Sequence, residues 1–186
     1  MILEIHVTVN SSDFENFKKI CDARQISPLW IENSQGVFSR QMLCALSLNA
    51  TLSQSKFRMR EISQRFSEAG FKVIREKIGC SIGKAQTRGV YHECHIKIIL
   101  PESETEHVLG FCAEKKISAS WSLIHGVPKE RKWYLTVRDY KSSATKAKRI
   151  FLETLAAVRT EFGKVRGMEM ETALLDTNKD LDKGWA

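Results

Sequence analysis

Two stretches of this chain carry the same local pattern: residues 3–9 read LEIHVTV, and residues 91–98 read YHECHIKI. Each contains Glu-x-His in a run where apolar and polar side chains alternate, which is typical of a strand with one buried face. The histidines are His6 and His95, and the recurrence of their surroundings indicates a duplicated unit. It also raises the question of whether the repeated glutamate and histidine do chemistry.

The patterns that follow these stretches come in the same order in both halves of the chain. After the first strand come a helical run, two strand-like runs joined by a hairpin connection, a long helix and a last strand. Residues 92–171 repeat this order, with Trp30 matched by Trp121 and Arg40 by Arg131. The order β-α-β-β-α-β is that of a ferredoxin-like unit, which has four antiparallel strands and two helices on one face.

We therefore predict an α+β fold built of two ferredoxin-like βαββαβ repeats that form one bilobal unit around a pseudo-twofold axis. The first repeat covers residues 1–79, and the second covers residues 91–175. Residues 80–90, rich in glycine and basic side chains, are predicted to be a linker, and residues 176–186 an acidic C-terminal tail. The open faces of the two sheets would then enclose a cleft.

The composition is that of an ordinary globular protein, with 42% hydrophobic and 27% charged residues. No apolar run reaches the roughly 18–20 residues that a membrane span needs. A strand pattern starts at once, so we expect no signal peptide. The five cysteines are scattered without a Cys-x-x-Cys pair, so we expect buried thiols in a cytoplasmic protein. The net charge of +7 favours an anionic partner.

Alternation also predicts which side chains face the cleft. The first strand contributes Glu4, His6 and Thr8, and the matching strand contributes Glu93, His95 and Lys97. The hairpin strand of the second half adds Lys132, Tyr134, Thr136 and Arg138. The corresponding strand of the first half has smaller and less charged side chains, which are Gln41, Leu43, Ala45 and Ser47. The second half would thus supply positively charged side chains. The first half, with its smaller side chains, would leave room for an anionic ligand.

These side chains allow three interpretations. Two histidines that face each other can act as general base and general acid on one phosphodiester, because each titrates near neutral pH. Thr8 or Lys97 would then bind the non-bridging phosphate oxygens. Two glutamates and two histidines could equally ligate a transition metal. In the third interpretation the repeat records common ancestry, and the cleft has no catalytic role.

The chain resembles the two-histidine phosphoesterases, which include the RNA 2′,3′-cyclic phosphodiesterases. Those proteins have two ferredoxin-like halves, each with a His-hydrophobic-Thr/Ser-hydrophobic motif on a strand that faces the central cleft. Residues 6–9, HVTV, match this motif, and residues 95–98, HIKI, match it except that Lys97 replaces the hydroxyl residue. The resemblance implies a metal-independent phosphodiesterase that acts on a nucleotide or an RNA end.

In that interpretation the chemistry falls to a small set of residues. They are the catalytic pair His6 and His95, the orienting carboxylates Glu4 and Glu93, and the phosphate binders Thr8, Lys97, Arg138 and Tyr134. No cofactor, metal or membrane is part of this prediction. The alternative is a non-catalytic binding or scaffold protein for a small anionic ligand or a protein partner. Lys97 bears on the choice, since a catalytic site of the resembled kind has Thr or Ser there.

The C-terminal tail carries a further pattern. Residues 176–182, DTNKDLD, place oxygen-bearing side chains at alternate positions, as in a calcium loop. Leu181 stands where such a loop needs glycine, so we predict an acidic surface turn instead. We expect Trp185 to rest against the body of the protein, because so large an apolar side chain gains from burial.

Overall fold

The computed structural model of the chain describes residues 1–34, 39–85, 89–123 and 127–182. Within these ranges there are strands, α-helices and two short 3₁₀ turns. The strands are β1 (Ile2–Asn10), β2 (Ser27–Asn33), β3 (Arg40–Asn49), β4 (Lys72–Ser81), β5 (Tyr91–Pro101), β6 (Ser118–Ser122), β7 (Glu130–Asp139) and β8 (Gly167–Asp176). The helices are α1 (Phe14–Asp22), α2 (Leu52–Glu68), α3 (Thr105–Lys115) and α4 (Ala144–Phe162). The 3₁₀ turns are Glu102–Glu104 and Lys179–Asp182.

The order of these elements along the chain is the order predicted from the sequence, β-α-β-β-α-β in each half. Local signals explain where the helices of the first half begin. The side chain of Asp13 accepts a hydrogen bond from the backbone nitrogen of Asn16 at 3.1 Å, at the start of α1. At the start of α2, Thr51 and Gln54 form a reciprocal capping box. Such caps satisfy the N–H groups that the first turn of a helix leaves free.

The strands join side by side into one closed antiparallel barrel. Around the barrel the order is β1-β3-β2-β6-β7-β5-β8-β4, and β4 pairs again with β1. Two seams connect the halves of the chain. Residues 31–33 of β2 pair with residues 120–122 of β6, and residues 77–81 of β4 pair with residues 171–176 of β8.

The predicted fold class, two ferredoxin-like repeats in a bilobal unit, is wrong. Such a unit has two separate sheets, whereas here the outer strands of each half hydrogen-bond with those of the other half. The physical reason lies in β2, β4, β6 and β8. In separate sheets these would be edge strands, and pairing them across two seams satisfies backbone groups that an edge leaves open. The expected cleft between lobes is instead the interior of a barrel.

The apolar cores lie between the barrel wall and the helices. The odd-numbered side chains of β1, from Leu3 to Val9, are fully buried and share a core with Phe17 of α1 and Phe66 of α2. A second core in the other half of the chain surrounds Trp133. Each fully buried side chain of this kind contributes about 1.5–3 kcal/mol. Because side chains alternate along a strand, the even-numbered positions of β1 point into the barrel.

The chain beyond β8 is docked on β4. The backbone nitrogen of Thr177 donates to the carbonyl oxygen of Glu76 at 3.0 Å. The side-chain Nδ2 of Asn178 donates to the carbonyl oxygen of Ile74 at 2.9 Å. The first residues of the predicted tail thus continue the packing of the barrel wall.

The structure describes only part of the predicted tail and of the predicted linker. Leu181 is 2% exposed, so the turn around it is packed on one side. The side chain of Asn178, one of the oxygen-bearing groups of the calcium-like pattern, is engaged with the backbone of β4. Trp185 and residues 86–88 of the linker lie outside the described residues.

All five cysteines are buried and free, as predicted. Among the described residues, none of the helices has the length and apolar character that crossing a bilayer requires.

Candidate functional site

The barrel interior holds a cavity with a volume of about 280 Å³. Ala45 and Ser47, which were predicted to face the cleft, are not among its lining residues, whereas all the residues predicted to act in catalysis or to bind phosphate line it. They are Glu4, His6, Thr8, Glu93, His95, Lys97, Tyr134 and Arg138. The barrel therefore brings side chains from both halves of the chain to one place.

Glu93 is at the centre of an ionic network in the cavity wall. Its carboxylate is 1% exposed and accepts a hydrogen bond from Nζ of Lys77 and another from Nε of Arg138, the latter at 2.9 Å. Nε2 of His95 lies 3.3 Å from Oε1 of the same carboxylate. Nζ of Lys77 also donates to Oε2 of Glu171 at 3.0 Å. Side chains of four strands, β4, β5, β7 and β8, thus meet in this network.

The network keeps its buried members charged. Burial alone would raise the pKa of Glu93, but the charges of Lys77, His95 and Arg138 hold it well below its ordinary value of 4.5. Burial alone would lower the pKa of Lys77, but the carboxylates of Glu93 and Glu171 outweigh it and raise the pKa. Charge pairing of this kind is what allows ionised groups to stay buried.

A second glutamate–histidine pair, on β1, faces the same cavity. Nε2 of His6 lies 3.0 Å from Oε1 of Glu4. The hydrogen bond with His6 lowers the pKa of Glu4 to about 2 against the opposing effect of burial, and the charge of Lys77 acts in the same direction. Because an ionised Glu4 only accepts hydrogen bonds, we assign the proton of a neutral His6 ring to Nε2.

The two histidines differ in what their other ring nitrogen contacts. Nδ1 of His95 lies 2.9 Å from Oγ1 of Thr136, and Nε2 faces Glu93, so both ring nitrogens have partners. The described part of the chain supplies a partner for Nε2 of His6 but none for Nδ1. His6 therefore keeps one ring nitrogen for a ligand, whereas both nitrogens of His95 are engaged.

Two of the four residues predicted to bind phosphate form ion pairs with carboxylates of the protein. Nζ of Lys97 donates to Oε1 of Glu169 at 2.6 Å. Arg138 donates to Glu93. Their positive charges are therefore at least partly neutralised within the protein.

The other two phosphate binders stand in different surroundings. Thr8 is 4% exposed and lies opposite Leu43 in the pairing of β1 with β3. The ring of Tyr134 lies 5.5 Å from Nζ of Lys132, a cation–π contact. Among the described residues, no carboxylate is paired with Lys132. Within the described part of the chain, Lys132 is thus the cavity cation that is available to pair with an anionic ligand.

An apolar wall lies across the barrel from the ionic network. It consists of Leu29 and Ile31 of β2 and Leu43 of β3, with Leu29 directly opposite Leu43. Gln41 lies in this wall beside Ile31 and is 4% exposed, yet its Nε2 finds no hydrogen-bond partner in the described residues. An unpaired buried donor destabilises the fold by about 1–3 kcal/mol. Nε2 is not exposed to the cavity, so the Gln41 amide would have to turn toward the cavity to donate to a bound molecule.

A metal ion fits this site poorly. The ligand atoms of Glu93, His95 and Glu171 lie within 4.8 Å of one another, a distance that would allow them to share an ion. Nζ of Lys77, however, is already bound to both carboxylates. A metal would have to displace a buried ammonium group whose pKa is raised by the same carboxylates.

The sequence reasoning missed four charged cavity residues, Arg75 and Lys77 of β4 and Glu169 and Glu171 of β8, and also Leu29, Ile31 and Ser120. The signal that could have found them is the same alternation that selected the others. The alternation is clear on β8, where residues 169 and 171 alternate with methionines, but on β4 it is interrupted by Glu76 between Ile74 and Ile78.

Arg75 connects the cavity to the C-terminal segment. Its Nε and Nη2 donate to the two carboxylate oxygens of Asp176 at 3.1 and 2.6 Å. The hydroxyl of Tyr91 donates to the same carboxylate at 2.7 Å. Burial opposes ionisation of Asp176, but Arg75 and Tyr91 outweigh it and lower its pKa.

Comparisons with known proteins assign no family to the chain. No family model matches it, and no curated protein matches it. Among solved structures, a Fusobacterium nucleatum protein named as a proposed monooxygenase is 10% identical, with a TM-score of 0.34, over 96% of this chain and 94% of that chain. A protein of unknown function from Galdieria sulphuraria is 13% identical, with a TM-score of 0.28, over 94% and 98%. An anthrone oxidase-like protein is 12% identical, with a TM-score of 0.28, over 94% and 92%.

Proposed function

We propose that the chain binds a small amphipathic organic anion inside its barrel. The observation that carries the proposal is the unpartnered Nε2 of Gln41, buried in the apolar wall of the cavity. A ligand whose apolar part lies on Leu29, Ile31 and Leu43 would supply an oxygen acceptor for this donor once the Gln41 amide turns toward the cavity. The hydrogen bond would remove the free-energy penalty that the buried amide carries.

The size of the cavity supports a small ligand. Its volume is about 280 Å³. Ligand pockets for drug-sized molecules span about 300–1,000 Å³ and combine apolar walls with a few polar groups. We therefore favour an acid with a single ring over a nucleotide.

The anionic character of the ligand follows from Lys132. This ammonium group lines the cavity beside Tyr134 and is not paired with a carboxylate among the described residues. The other ammonium groups of the cavity, on Lys77 and Lys97, are bound to glutamates. A partly buried cation without a partner attracts an anion.

Calorimetric titration with benzoate tests the proposal, with acetate and inorganic phosphate as comparison ligands. We expect benzoate to bind more tightly than both, because only benzoate can cover the apolar wall. Gln41→Leu should weaken benzoate binding about tenfold, as expected for the loss of a hydrogen bond to a charged group. Gln64→Leu, on the outer surface of α2, is the matched control and should leave the affinity unchanged.

Two results would contradict this function. One is equal binding of acetate and benzoate, which would mean that the apolar wall takes no part. The other is an unchanged affinity in Gln41→Leu. The unfolding midpoint of this variant separates the effect from misfolding, since removing an unpartnered buried amide should not destabilise the protein.

We propose a metal-independent phosphodiesterase as the second candidate function. It is favoured by the lining of one cavity by His6 and His95, each beside a carboxylate on its own strand. General acid–base catalysis would require His95 to exchange Glu93 or Thr136 for the substrate. The commitment of Lys97 to Glu169 also leaves less charge for a phosphate.

Turnover of bis(4-nitrophenyl) phosphate and of a 2′,3′-cyclic nucleotide tests this second candidate. If it is correct, both substrates are hydrolysed, and His6→Ala and His95→Ala each lower the rate by at least about 100-fold. Absence of turnover by the folded wild-type protein would eliminate the candidate and leave the binding function standing.

A further inference from the structure

We infer that the Glu4–His6 pair accepts a proton from the bound ligand, which is therefore a weak acid that enters the barrel with its proton and is held as its anion. The inference rests on the proposed binding function and names the class of its ligand. The geometry that carries it is the difference between the two glutamate–histidine pairs.

The difference begins with hydrogen-bond partners. Nε2 of His6 is bound to Glu4 at 3.0 Å, and Nδ1 has no partner among the residues that the structure describes. The ring of His95 is held at both nitrogens, by Glu93 and by Thr136. A neutral imidazole that carries its proton on Nε2 presents Nδ1 as an acceptor. His6 is thus arranged as a base, and His95 as a fixed part of the wall.

The position of His6 adds a second argument. On β1 it precedes Thr8, which lies opposite Leu43 of the apolar wall. His6 itself lies opposite Ala45 of β3. A ligand on the apolar wall would therefore meet His6 before it met His95, which lies across the barrel on β5.

The charges around His6 suit the acceptance of a proton. On its own strand it faces Glu4, and β8 adds Glu171. The neighbouring strand β4 contributes Arg75 and Lys77, of which Arg75 is bound to Asp176 and Lys77 to two glutamates. The facing residues of β3 are uncharged. An imidazolium ring at this place would have the Glu4 carboxylate within hydrogen-bonding distance.

The step itself is a single proton transfer. The O–H bond of the ligand breaks, its electron pair stays on the oxygen, and the proton forms an N–H bond at Nδ1 of His6. Glu4 stabilises the imidazolium ring, and the oxygen anion stays beside the N–H group that it has created on His6. The step needs no oxidant or reductant.

A coloured weak acid, 4-nitrophenol, tests the inference, because its ionised form is yellow and its neutral form is not. The probe is added to the full chain at a pH about one unit below the pKa of the free probe, where most of it is neutral. We expect the wild-type protein to raise the yellow absorbance in proportion to the probe bound, as measured by calorimetry. His6→Gln should lower the ionised fraction of bound probe about tenfold, the equivalent of one pKa unit, while it changes the affinity less.

Further variants separate a proton acceptor from a structural role. Glu4→Gln keeps the ring but removes its carboxylate, and it should also lower the ionised fraction. His107→Gln is the control, since His107 is bound to Glu104 and Glu161 on the outer surface and should leave the ionised fraction unchanged.

Three results would overturn the inference. If the probe binds without turning yellow, no proton is accepted, and the binding function still stands. If His95→Gln lowers the ionised fraction as much as His6→Gln, the asymmetry between the pairs has no functional meaning. If neither 4-nitrophenol nor benzoate binds to the wild-type protein, both the inference and the binding function fail.

Discussion

Nζ of Lys77 lies 3.0 Å from Oε2 of Glu171, although the two residues are separated by 94 positions in the chain. The contact crosses the seam between β4 and β8, where the two halves of the chain meet. Lys77 also binds Glu93 of β5, so one ammonium group holds three strands together from inside the barrel.

Replacement of Lys77 by Met should destabilise the protein strongly. Removal of one partner from a buried ion pair typically costs about 3–5 kcal/mol, because the remaining charge stays in a low-dielectric environment. Two glutamates lose a partner here, and we expect a loss near the lower end of that range since Glu93 keeps Arg138. Urea denaturation measures the change.

The matched control for this substitution is Lys97→Met. Lys97 also lines the cavity and also binds a glutamate, but Glu169 is 52% exposed and the pair is reached by water. Exposed pairs contribute less than about 1 kcal/mol. Equal losses in the two variants would show that burial of the Lys77 network has no energetic effect.

Stability should fall as the pH is lowered from about 5 toward 2. The pKa of Glu4 is lowered from 4.5 to about 2 in the folded protein, mainly by its hydrogen bond with His6. A carboxyl group whose folded pKa is depressed contributes stability that is present above its unfolded pKa and is lost as the pH falls through the folded pKa. The lowered pKa values of Glu93 and Asp176 act in the same direction.

Urea midpoints at a series of pH values measure this dependence. Glu4→Gln should show a shallower decline than the wild-type protein, because it lacks one of the titrating groups. A wild-type midpoint that stays constant down to pH 2 would be incompatible with the lowered pKa values of these carboxylates.

Gly79→Ala should destabilise the seam between β4 and β8. A Cβ atom at this position would lie 2.9 Å from Oε2 of Glu171, the same oxygen that accepts from Lys77. The carboxylate cannot move away without loss of that hydrogen bond, so we expect about 1–3 kcal/mol of destabilisation in urea. Gly110→Ala in α3 is the control, since nothing lies within 4 Å of the added atom. It should instead stabilise the helix by about 0.5–1 kcal/mol.

Asp176→Asn should destabilise the protein by about 3 kcal/mol, because it removes the buried carboxylate that two guanidinium nitrogens of Arg75 bind. The effect is measured by thermal and urea unfolding. For comparison, Glu68→Gln breaks an Arg65 pair of similar length on the exposed face of α2, and it should leave the unfolding midpoint unchanged. An equally small effect of Asp176→Asn would argue against a structural role for the segment after β8.

Alternation of side chains made much of the site predictable. Because a strand turns successive residues to opposite faces, the buried side chains of β1 identify Glu4, His6 and Thr8 as the residues of the other face. The same reasoning applied to β5 selects Glu93, His95 and Lys97. Alternation is a local property, which is why it could be read without knowledge of the partner strands.

Barrel closure was not predictable in the same way. Which strand pairs with β2 or β4 depends on contacts between distant parts of the chain, such as Ile31 with Ser122, and no local pattern specifies them. The ion pairs of Lys77 and Arg75 depend on the same closure, since their partners Glu171 and Asp176 belong to β8. The pair of Lys97 with Glu169 does not depend on closure, since β5 and β8 belong to the same half of the chain.

The closed barrel also constrains how the protein is made on the ribosome. Strand β8 is the last in chain order, and both β4 and β5 hydrogen-bond with it. Until residues 167–176 have been synthesised, a nascent chain that has formed the earlier strands is an open sheet with unpaired backbone groups on β4 and β5. Such edges readily recruit other chains. Each half of this chain therefore acts as the protective partner of the other, and a polypeptide cut between β4 and β5 would yield two fragments prone to aggregate.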